Sequence, residues 1–260
     1  MNRPHRLATG SLLIFLSLVV LLVACKASPL PPSPTPEPSS LPTLRPTQTA
    51  SVMLPTLPKP ETTVVQVTPT GDPAAYLAAG KAYLEAGETT LAIAELEKAL
   101  ALSPDLLEAR FYLGNAYTAA GQLAEAERQF QTVLEADPDH LSAHSNLGVI
   151  YLRMEQIEPA LAEFQAALAL DETDAEVNYL IGVAHIRLGQ LEKAQGQFER
   201  AIALDPELPE PYFGLGMIYH LIGDKEKAIE ALETFLVKGP AQDPAAEGEA
   251  RRILEVLKGQ

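Results

Sequence analysis

The sequence predicts an all-α protein: a right-handed α-solenoid of five helix-turn-helix units with a C-terminal capping helix, preceded by a signal peptide and a disordered linker. Three observations predict this class. Glycine recurs every 34 residues after Gly71, and alanine and a large apolar residue recur in the same register. Within each unit the apolar residues are three or four positions apart, which places them on one face of a helix.

Residues 1–24 have the layout of a secretory signal peptide. Arg3 and Arg6 form a basic start, and residues 7–24 contain no charged residue. We therefore expect the chain to be exported. A retained membrane span is the alternative, because a helix of this length measures about 27 Å, close to the thickness of a hydrocarbon core.

Cys25 is the only cysteine in the chain, so it cannot form an intramolecular disulfide. The stretch Leu22-Val23-Ala24-Cys25 resembles the lipobox of bacterial lipoproteins. That resemblance implies cleavage before Cys25 and acylation, including palmitate, at the new N-terminus. It also implies a location in the bacterial cell envelope, facing outward from the cytoplasmic membrane or anchored to the outer membrane. Two or three acyl chains give a durable anchor where one is reversible. A free thiol is the alternative.

Residues 25–71 are predicted to be a linker. Of the 46 residues from Lys26 to Gly71, 12 are proline and 14 are serine or threonine. Proline removes backbone donors, and the few apolar residues show no sustained period, so this segment is expected to be disordered or polyproline II. A proline-rich ligand for another domain is the alternative.

Residues 72–242 contain the five repeats. Each repeat has a glycine, then an aromatic residue or histidine, then an alanine and a large apolar residue, and most end on a proline. The glycines are Gly80, Gly114, Gly148, Gly182 and Gly216; the next set is Tyr83, Tyr117, Tyr151, His185 and Tyr219; the alanines are Ala92, Ala126, Ala160, Ala194 and Ala228; the large residues are Leu96, Phe130, Phe164, Phe198 and Leu232; the prolines are Pro104, Pro138, Pro206 and Pro240.

The repeated glycine lies inside a helix, where it costs up to about 1 kcal/mol relative to alanine. Its recurrence indicates a steric need. For Gly114, we expect the paired helix to cross too closely at Ala126 for a side chain, with Phe130 filling the space around the contact. Gly121 is expected to end the first helix in a left-handed conformation.

This pattern resembles the tetratricopeptide repeat, a helix-turn-helix family of 34-residue units with Gly, Tyr, Ala, Phe and Pro at these positions. The third repeat departs from it, because Glu155 replaces the turn glycine and Glu172 replaces the linking proline. We expect a softer turn and a softer junction there. His185 replaces the tyrosine of the fourth repeat and is interpreted as a core histidine that donates a hydrogen bond.

Residues 243–260 are predicted to form a capping helix. Ala250, Ile253, Leu254 and Leu257 share one helical face, while charged residues lie on the other. Such a helix covers the apolar end of a stacked array.

The residues do not indicate an enzyme, a cofactor or a metal site. We find no Ser-His-Asp order, no glycine-rich phosphate loop and no usable thiol beyond Cys25. His140 and His144 are four residues apart, but no third ligand is evident and a satisfied surface pair is the favoured interpretation. An unrecognised hydrolase is the contrary hypothesis.

Charge argues against nucleic acid as a partner. The chain has 19 Lys and Arg and 34 Asp and Glu; five of the former and two of the latter precede Asp72, which leaves a net charge of −18 from there onward. Such a domain repels nucleic acid and anionic lipid surfaces. Membrane contact is therefore expected through the lipid alone.

The resemblance implies a ligand groove on the concave side, lined by the first helix of each repeat. We therefore predict a non-enzymatic, membrane-anchored adaptor that binds a protein or peptide partner there. An assembly factor for a pilus, secretin or outer-membrane complex, and a self-associating scaffold, are the alternatives. The predicted groove residues are Lys81, Phe111, Asn115, Val149, Arg153, Tyr179, Val183, Arg187, Phe213, Met217 and His220.

Overall fold

The computed structural model describes residues 71–239 and 243–259. Within these ranges it contains eleven α-helices and no strand. The predicted signal peptide, Cys25, the linker up to residue 70 and Pro240 lie outside the described residues. The helices are α1 Pro73–Glu85, α2 Thr89–Leu102, α3 Leu107–Ala119, α4 Leu123–Ala136, α5 Leu141–Arg153, α6 Ile157–Leu170, α7 Ala175–Arg187, α8 Leu191–Leu204, α9 Glu210–Ile222, α10 Lys225–Lys238 and α11 Pro244–Gly259.

The first ten helices form five hairpins stacked in chain order. Each first helix has 13 residues and each second helix has 14. Every helix contacts its partner in the hairpin, and each second helix also contacts the first helix of the next hairpin. This arrangement is an α-solenoid, so the predicted fold class is confirmed for the described residues.

The turn between the two helices of a hairpin is conformationally uniform. Gly87, Gly121, Gly189 and Gly223 have φ between 70° and 86°, and Glu155 occupies the same left-handed region at φ 60°. The backbone N–H of Glu155 donates to the carbonyl oxygen of Leu152 at 3.1 Å, and that of Gly121 donates to the carbonyl oxygen of Thr118 at the same distance. The third turn therefore keeps the backbone geometry of the others.

Each repeated glycine makes room for the large residue 16 positions later. A Cβ on Gly114 would lie 2.8 Å from two ring carbons of Phe130, and one on Gly148 would lie 2.5 Å from the ring of Phe164. The obstruction is thus the aromatic ring itself. The expectation that the paired helix crosses too closely at Ala126 is corrected accordingly, because the nearest atoms to a Cβ on Gly114 all belong to the Phe130 ring.

The apolar core runs through the stacked hairpins. Phe130, Phe164 and Phe198 are fully buried. The ring of Phe198 fits between two helices, because Cβ atoms on Gly182 of α7 and on Gly214 of α9 would both meet it. One continuous cluster of buried residues extends from Val149 to Leu257, so the junction between the third and fourth repeats is packed rather than open.

The C-terminal helix α11 closes the array as predicted. It contacts α10 and α9 and buries Ala250, Ile253, Leu254 and Leu257. Asp243 caps its first turn, since one carboxylate oxygen accepts from the N–H groups of Ala245 and Ala246 at 3.0 Å each. Across the described helices, none combines the length and the apolar character needed to span a bilayer.

Candidate protein-binding groove

The first helices of successive repeats lie side by side. α1 contacts α3, α3 contacts α5, α5 contacts α7 and α7 contacts α9. Residues 34 positions apart therefore form rows across the array. All eleven predicted groove residues lie on these first helices.

The rows are accessible at the N-terminal end. Lys81, Phe111 and Asn115 are each partly exposed. A depression of about 350 Å³ lies between α1 and α3. It is lined by Ala74, Leu77, Ala78, Lys81, Ala82, Glu85 and Glu108.

Lys81 is fixed in place by two contacts with α3. Its Nζ is 2.9 Å from Glu108 Oε1 and lies 4.6 Å from the centre of the Tyr112 ring. The hydrogen bond to Glu108 raises the pKa of Lys81, so the ammonium form is favoured. The end of this side chain therefore presents a fixed cation to the depression.

Phe111 is held between two other rings. It stacks on His140 with the ring centres 4.9 Å apart, and its centre is 5.8 Å from that of Phe130 in an edge geometry. His140 is itself fixed at the start of α5, where its Nδ1 accepts from the N–H of Ala143 at 3.2 Å. Phe111 is thus a rigid apolar surface that remains partly exposed.

The same rows are buried in the later repeats. Val149, Tyr179, Val183, Phe213 and Met217 are at most 5 % exposed. Tyr179 stacks on Phe198 with ring centres 5.8 Å apart, and Phe213 packs on Phe235 at 5.1 Å. These five side chains are core residues in this conformation, which corrects their assignment as accessible groove residues.

A buried amide that the sequence interpretation did not single out joins two first helices. Asn146 of α5 is 6 % exposed and donates from Nδ2 to Oδ1 of Asn115 at 2.7 Å. The signal was available in the sequence: the equivalent residues in the other repeats are Ala78, Tyr112, Leu180 and Gly214, none of which carries an amide. The interaction orients the side chain of Asn115 at the edge of the accessible region.

Arg153 and Arg187 occupy the same position of the third and fourth repeats and are partly exposed. Arg153 donates from Nη1 to the carbonyl oxygen of Thr118 at 2.9 Å. Burial lowers the pKa of both guanidinium groups, and the nearby Glu155 opposes this effect at Arg187. His220 lies in the last turn of α9 and is also partly exposed.

His140 and His144 act within the fold. His144 Nδ1 is 2.7 Å from Glu163 Oε2, and its Nε2 is 2.9 Å from the carbonyl oxygen of Pro138. His140 caps α5 as described above. In the part of the chain that the structure describes, no three His, Cys, Asp or Glu side chains are grouped so as to hold a metal ion.

Family models match the region that the repeats occupy. Two matches to one tetratricopeptide repeat model cover residues 83–148 and 119–182, and a second tetratricopeptide repeat model covers residues 179–246. Together they span more than half of the chain. No curated protein matches the sequence significantly.

Solved structures show the same fold. YrrB, described as a tetratricopeptide repeat protein with an unusual peptide-binding site, is 26 % identical; the match covers 70 % of this chain and 93 % of YrrB, with a TM-score of 0.53. MamA from Desulfovibrio magneticus RS-1 is also 26 % identical, with 69 % and 95 % covered and a TM-score of 0.55. PilF of Pseudomonas aeruginosa is 19 % identical, with 71 % and 88 % covered and a TM-score of 0.61.

The family models match the part of the chain in which four of the five repeated glycines, Gly114, Gly148, Gly182 and Gly216, pack against the large residue of the same repeat. The protein belongs to the tetratricopeptide repeat family.

Proposed function

We propose that this protein is a non-enzymatic adaptor lipoprotein that binds a protein or peptide partner along its first helices. It is anchored by acylated Cys25 and faces outward from the cytoplasmic membrane, or is held at the outer membrane. The linker of residues 25–71 separates the repeats from the lipid.

The observation that carries the binding proposal is the accessible N-terminal part of the groove. A partly exposed aromatic ring at Phe111 and an oriented amide at Asn115 lie one turn apart on α3, and the adjoining helix α1 carries the fixed cation of Lys81. Aromatic anchors beside polar groups are typical of surfaces where a few residues supply most of the binding energy. The similarity to YrrB, which is described as having a peptide-binding site, supports the same function.

Site-specific photocrosslinking in intact cells tests the binding proposal. A photoreactive residue replaces Asn115 in the groove or, as the matched control, Leu91 on α2, which is 46 % exposed. We expect a discrete partner to be crosslinked from position 115 and not from position 91. The crosslink should weaken when Lys81→Ala and Phe111→Ala are combined, because two anchors together are worth about 2 kcal/mol or more. Equal crosslinking from both positions contradicts a groove.

Cell fractionation tests the anchor separately. A Cys25→Ala variant should leave the membrane fraction and lose N-terminal processing, because the thiol is the proposed acylation site. A Cys25→Ser variant is the conservative control and should behave in the same way. Membrane attachment and processing that are unchanged in both variants would exclude the lipoprotein proposal while leaving the binding proposal open.

A further inference from the structure

Two arginines of the groove, Arg153 and Arg187, are partly enclosed and have no carboxylate partner. Several other cations of the described residues also form no ion pair: Arg110, Arg128, Lys193, Arg200 and Lys225. Ion pairs with carboxylates involve Lys81, Lys98, Lys227, Lys238, Arg251, Arg252 and Lys258. Among the described residues, Arg153 and Arg187 form no such pair, although they are more enclosed than the two arginines of α11. Enclosing a charge without a counter-charge is unfavourable.

The polar atoms of these two side chains are only partly satisfied. Arg153 uses one Nη for the carbonyl oxygen of Thr118. The Nε of Arg187 is buried and has no hydrogen-bond partner. Glu155 is the acidic group that acts on Arg187 electrostatically, but it is exposed in its turn and does not pair with it. Each guanidinium therefore keeps donors for an acceptor that the described residues do not supply.

Arg153 and Arg187 hold equivalent positions on two helices that lie side by side. They are 34 residues apart on α5 and α7, which contact one another, and helices in contact lie about 8–10 Å apart. The same position holds Glu85, Ala119 and Leu221 in the other repeats, so the paired cations are confined to the third and fourth repeats. In an extended peptide, residues two apart are about 7 Å from each other on the same side, within the reach of two arginine side chains.

We infer that Arg153 and Arg187 form a binding site for the carboxylates of an acidic peptide segment, with one guanidinium for each of two acidic residues spaced i and i+2. This inference rests on the proposed binding function and specifies the chemistry of its ligand. Arginine presents a planar set of donors that matches a carboxylate in a bidentate manner. A bound carboxylate would supply the missing counter-charge.

Fluorescence anisotropy with the full-length protein tests the inference. The probe is a labelled, acetylated and amidated peptide, Ser-Leu-Glu-Ala-Glu-Leu-Ser, compared with the same peptide carrying Gln for both Glu. A third peptide carries Gln at both positions and a free C-terminal carboxylate. We expect the Glu peptide to bind at least about 10-fold more tightly than either Gln peptide, since charge-assisted pairs are the stronger hydrogen bonds.

The variants separate a local site from overall charge. Arg153→Gln with Arg187→Gln should weaken binding of the Glu peptide by about 10-fold and leave the Gln peptides within about 2-fold. Arg251→Gln with Arg252→Gln is the matched control, because it removes the same charge from exposed side chains of α11. It should change neither affinity. Circular dichroism verifies that each variant is folded. The comparison of the Glu and Gln peptides on the unmodified protein tests the inference even if a variant fails to fold.

Several results would overturn the inference. They are equal binding of the Glu and Gln peptides by the unmodified protein, no measurable binding of either, or equal losses in the two double variants. Preference for the peptide with the free C-terminal carboxylate would also reject side-chain carboxylates as the ligand. If these results appear while a partner still crosslinks from position 115, the acidic-ligand inference fails and the proposed adaptor function stands.

Discussion

At the residue scale, one steric relation is repeated through the solenoid. A helical glycine lies directly against the large side chain 16 residues later in every repeat. Alanine would stabilise a bare helix, so the glycine is retained only because the ring or leucine occupies the position of a Cβ. The recurrence could be recognised in the sequence. Which atoms collide could not, because that depends on side-chain packing between two helices.

A pair of glycine substitutions separates packing from helix propensity. Gly114→Ala should lower the free energy of unfolding by about 1–3 kcal/mol, because its Cβ would lie 2.8 Å from the ring of buried Phe130. Gly196→Ala is the control: it lies in α8, where a Cβ would meet no atom within 4 Å beyond its chain neighbours and the backbone of its own helix, and it should raise that free energy by about 0.5–1 kcal/mol. Urea unfolding measures both. Changes of the same sign would contradict the steric explanation.

His185 predicts a pH dependence of stability. In the second repeat the equivalent residue is Tyr117, whose hydroxyl donates to Glu97 Oε1 of the preceding repeat at 2.8 Å. His185 Nδ1 instead lies 3.0 Å from Oε1 of Gln190 in its own repeat. Burial lowers the pKa of His185 below its ordinary value of 6.5. The unfolded chain therefore binds the proton at higher pH than the folded protein does, so stability is fully present above pH 6.5 and decreases as the pH falls through the lowered pKa.

The measurement is urea unfolding at pH 7.5 and at pH 5.5. His185→Tyr should lose less stability between these two values than the unmodified protein, since tyrosine does not titrate in this range. The other histidines are common to both proteins and cancel in the comparison. An identical loss in the two proteins would mean that His185 does not contribute.

At the element scale, apolar periodicity and the turn glycines predict where the helices lie. They do not predict the backbone conformation at a position that departs from the repeat pattern. Glu155 was expected to soften its turn, yet its backbone takes the same left-handed geometry as the glycines. The hydrogen bonds that close the turn and the packing of both flanking helices impose that conformation on a residue that disfavours it. Sequence alone does not reveal whether the packing and hydrogen bonds of the turn outweigh the cost of a positive φ at a glutamate.

The strain at this turn can be removed. Glu155→Gly should raise the free energy of unfolding by about 1 kcal/mol, because glycine adopts positive φ without a Cβ penalty. Glu155→Ala is the control, since it removes the carboxylate near Arg187 but keeps the Cβ. It should not stabilise the protein. Thermal unfolding of both variants measures the difference, and equal gains would assign the effect to the lost charge instead.

The capping helix α11 is expected to contribute to stability through its buried face. Ile253→Ala should cost about 2–5 kcal/mol, because Ile253 is 1 % exposed. Val256→Ala lies one turn away at 44 % exposure and should stay within about 0.5 kcal/mol of the unmodified protein. Denaturant unfolding compares the two. A similar small cost for both would show that α11 does not pack stably on the last repeat.

At the scale of the whole molecule, the core is not uniform along the solenoid. One cluster covers the first repeat and the start of the second, another covers Ala126 to Ile150, and the largest extends from Val149 through α11. In a stacked array each repeat is stabilised mainly by its neighbours. The N-terminal repeat, with a neighbour on one side only among the described residues, is therefore the least protected.

Hydrogen exchange followed by mass spectrometry checks this gradient. Amides of α1 and α2 should exchange at least about 10-fold faster than those of α7 to α9, because opening the end of an array breaks one interface and opening its interior breaks two. Peptides from α11 serve as the internal comparison at the other end, which is capped. Uniform exchange across all helices would indicate a single cooperative unit.

The fold class and the family could be recognised in the sequence, whereas the accessible surface could not. Tyr179 and Phe213 hold the same repeat position as Phe111, so the sequence predicts that all three line the groove; Tyr179 and Phe213 are buried, however, whereas Phe111 is partly exposed. Register fixes which helix face a residue occupies. Its exposure depends on everything else that packs there, which a 34-residue pattern does not specify.

The pairing of each helical glycine with the large residue of its own hairpin has a consequence for how such a chain changes over time. Because both members of the pair are encoded within one 34-residue block, a duplicated or deleted block arrives or leaves with its own interlocking parts. Unequal recombination between the repeats would keep this contact intact within each block, whereas a contact between blocks, such as that of the Phe198 ring with Gly214 of the next repeat, would have to form anew at each new junction.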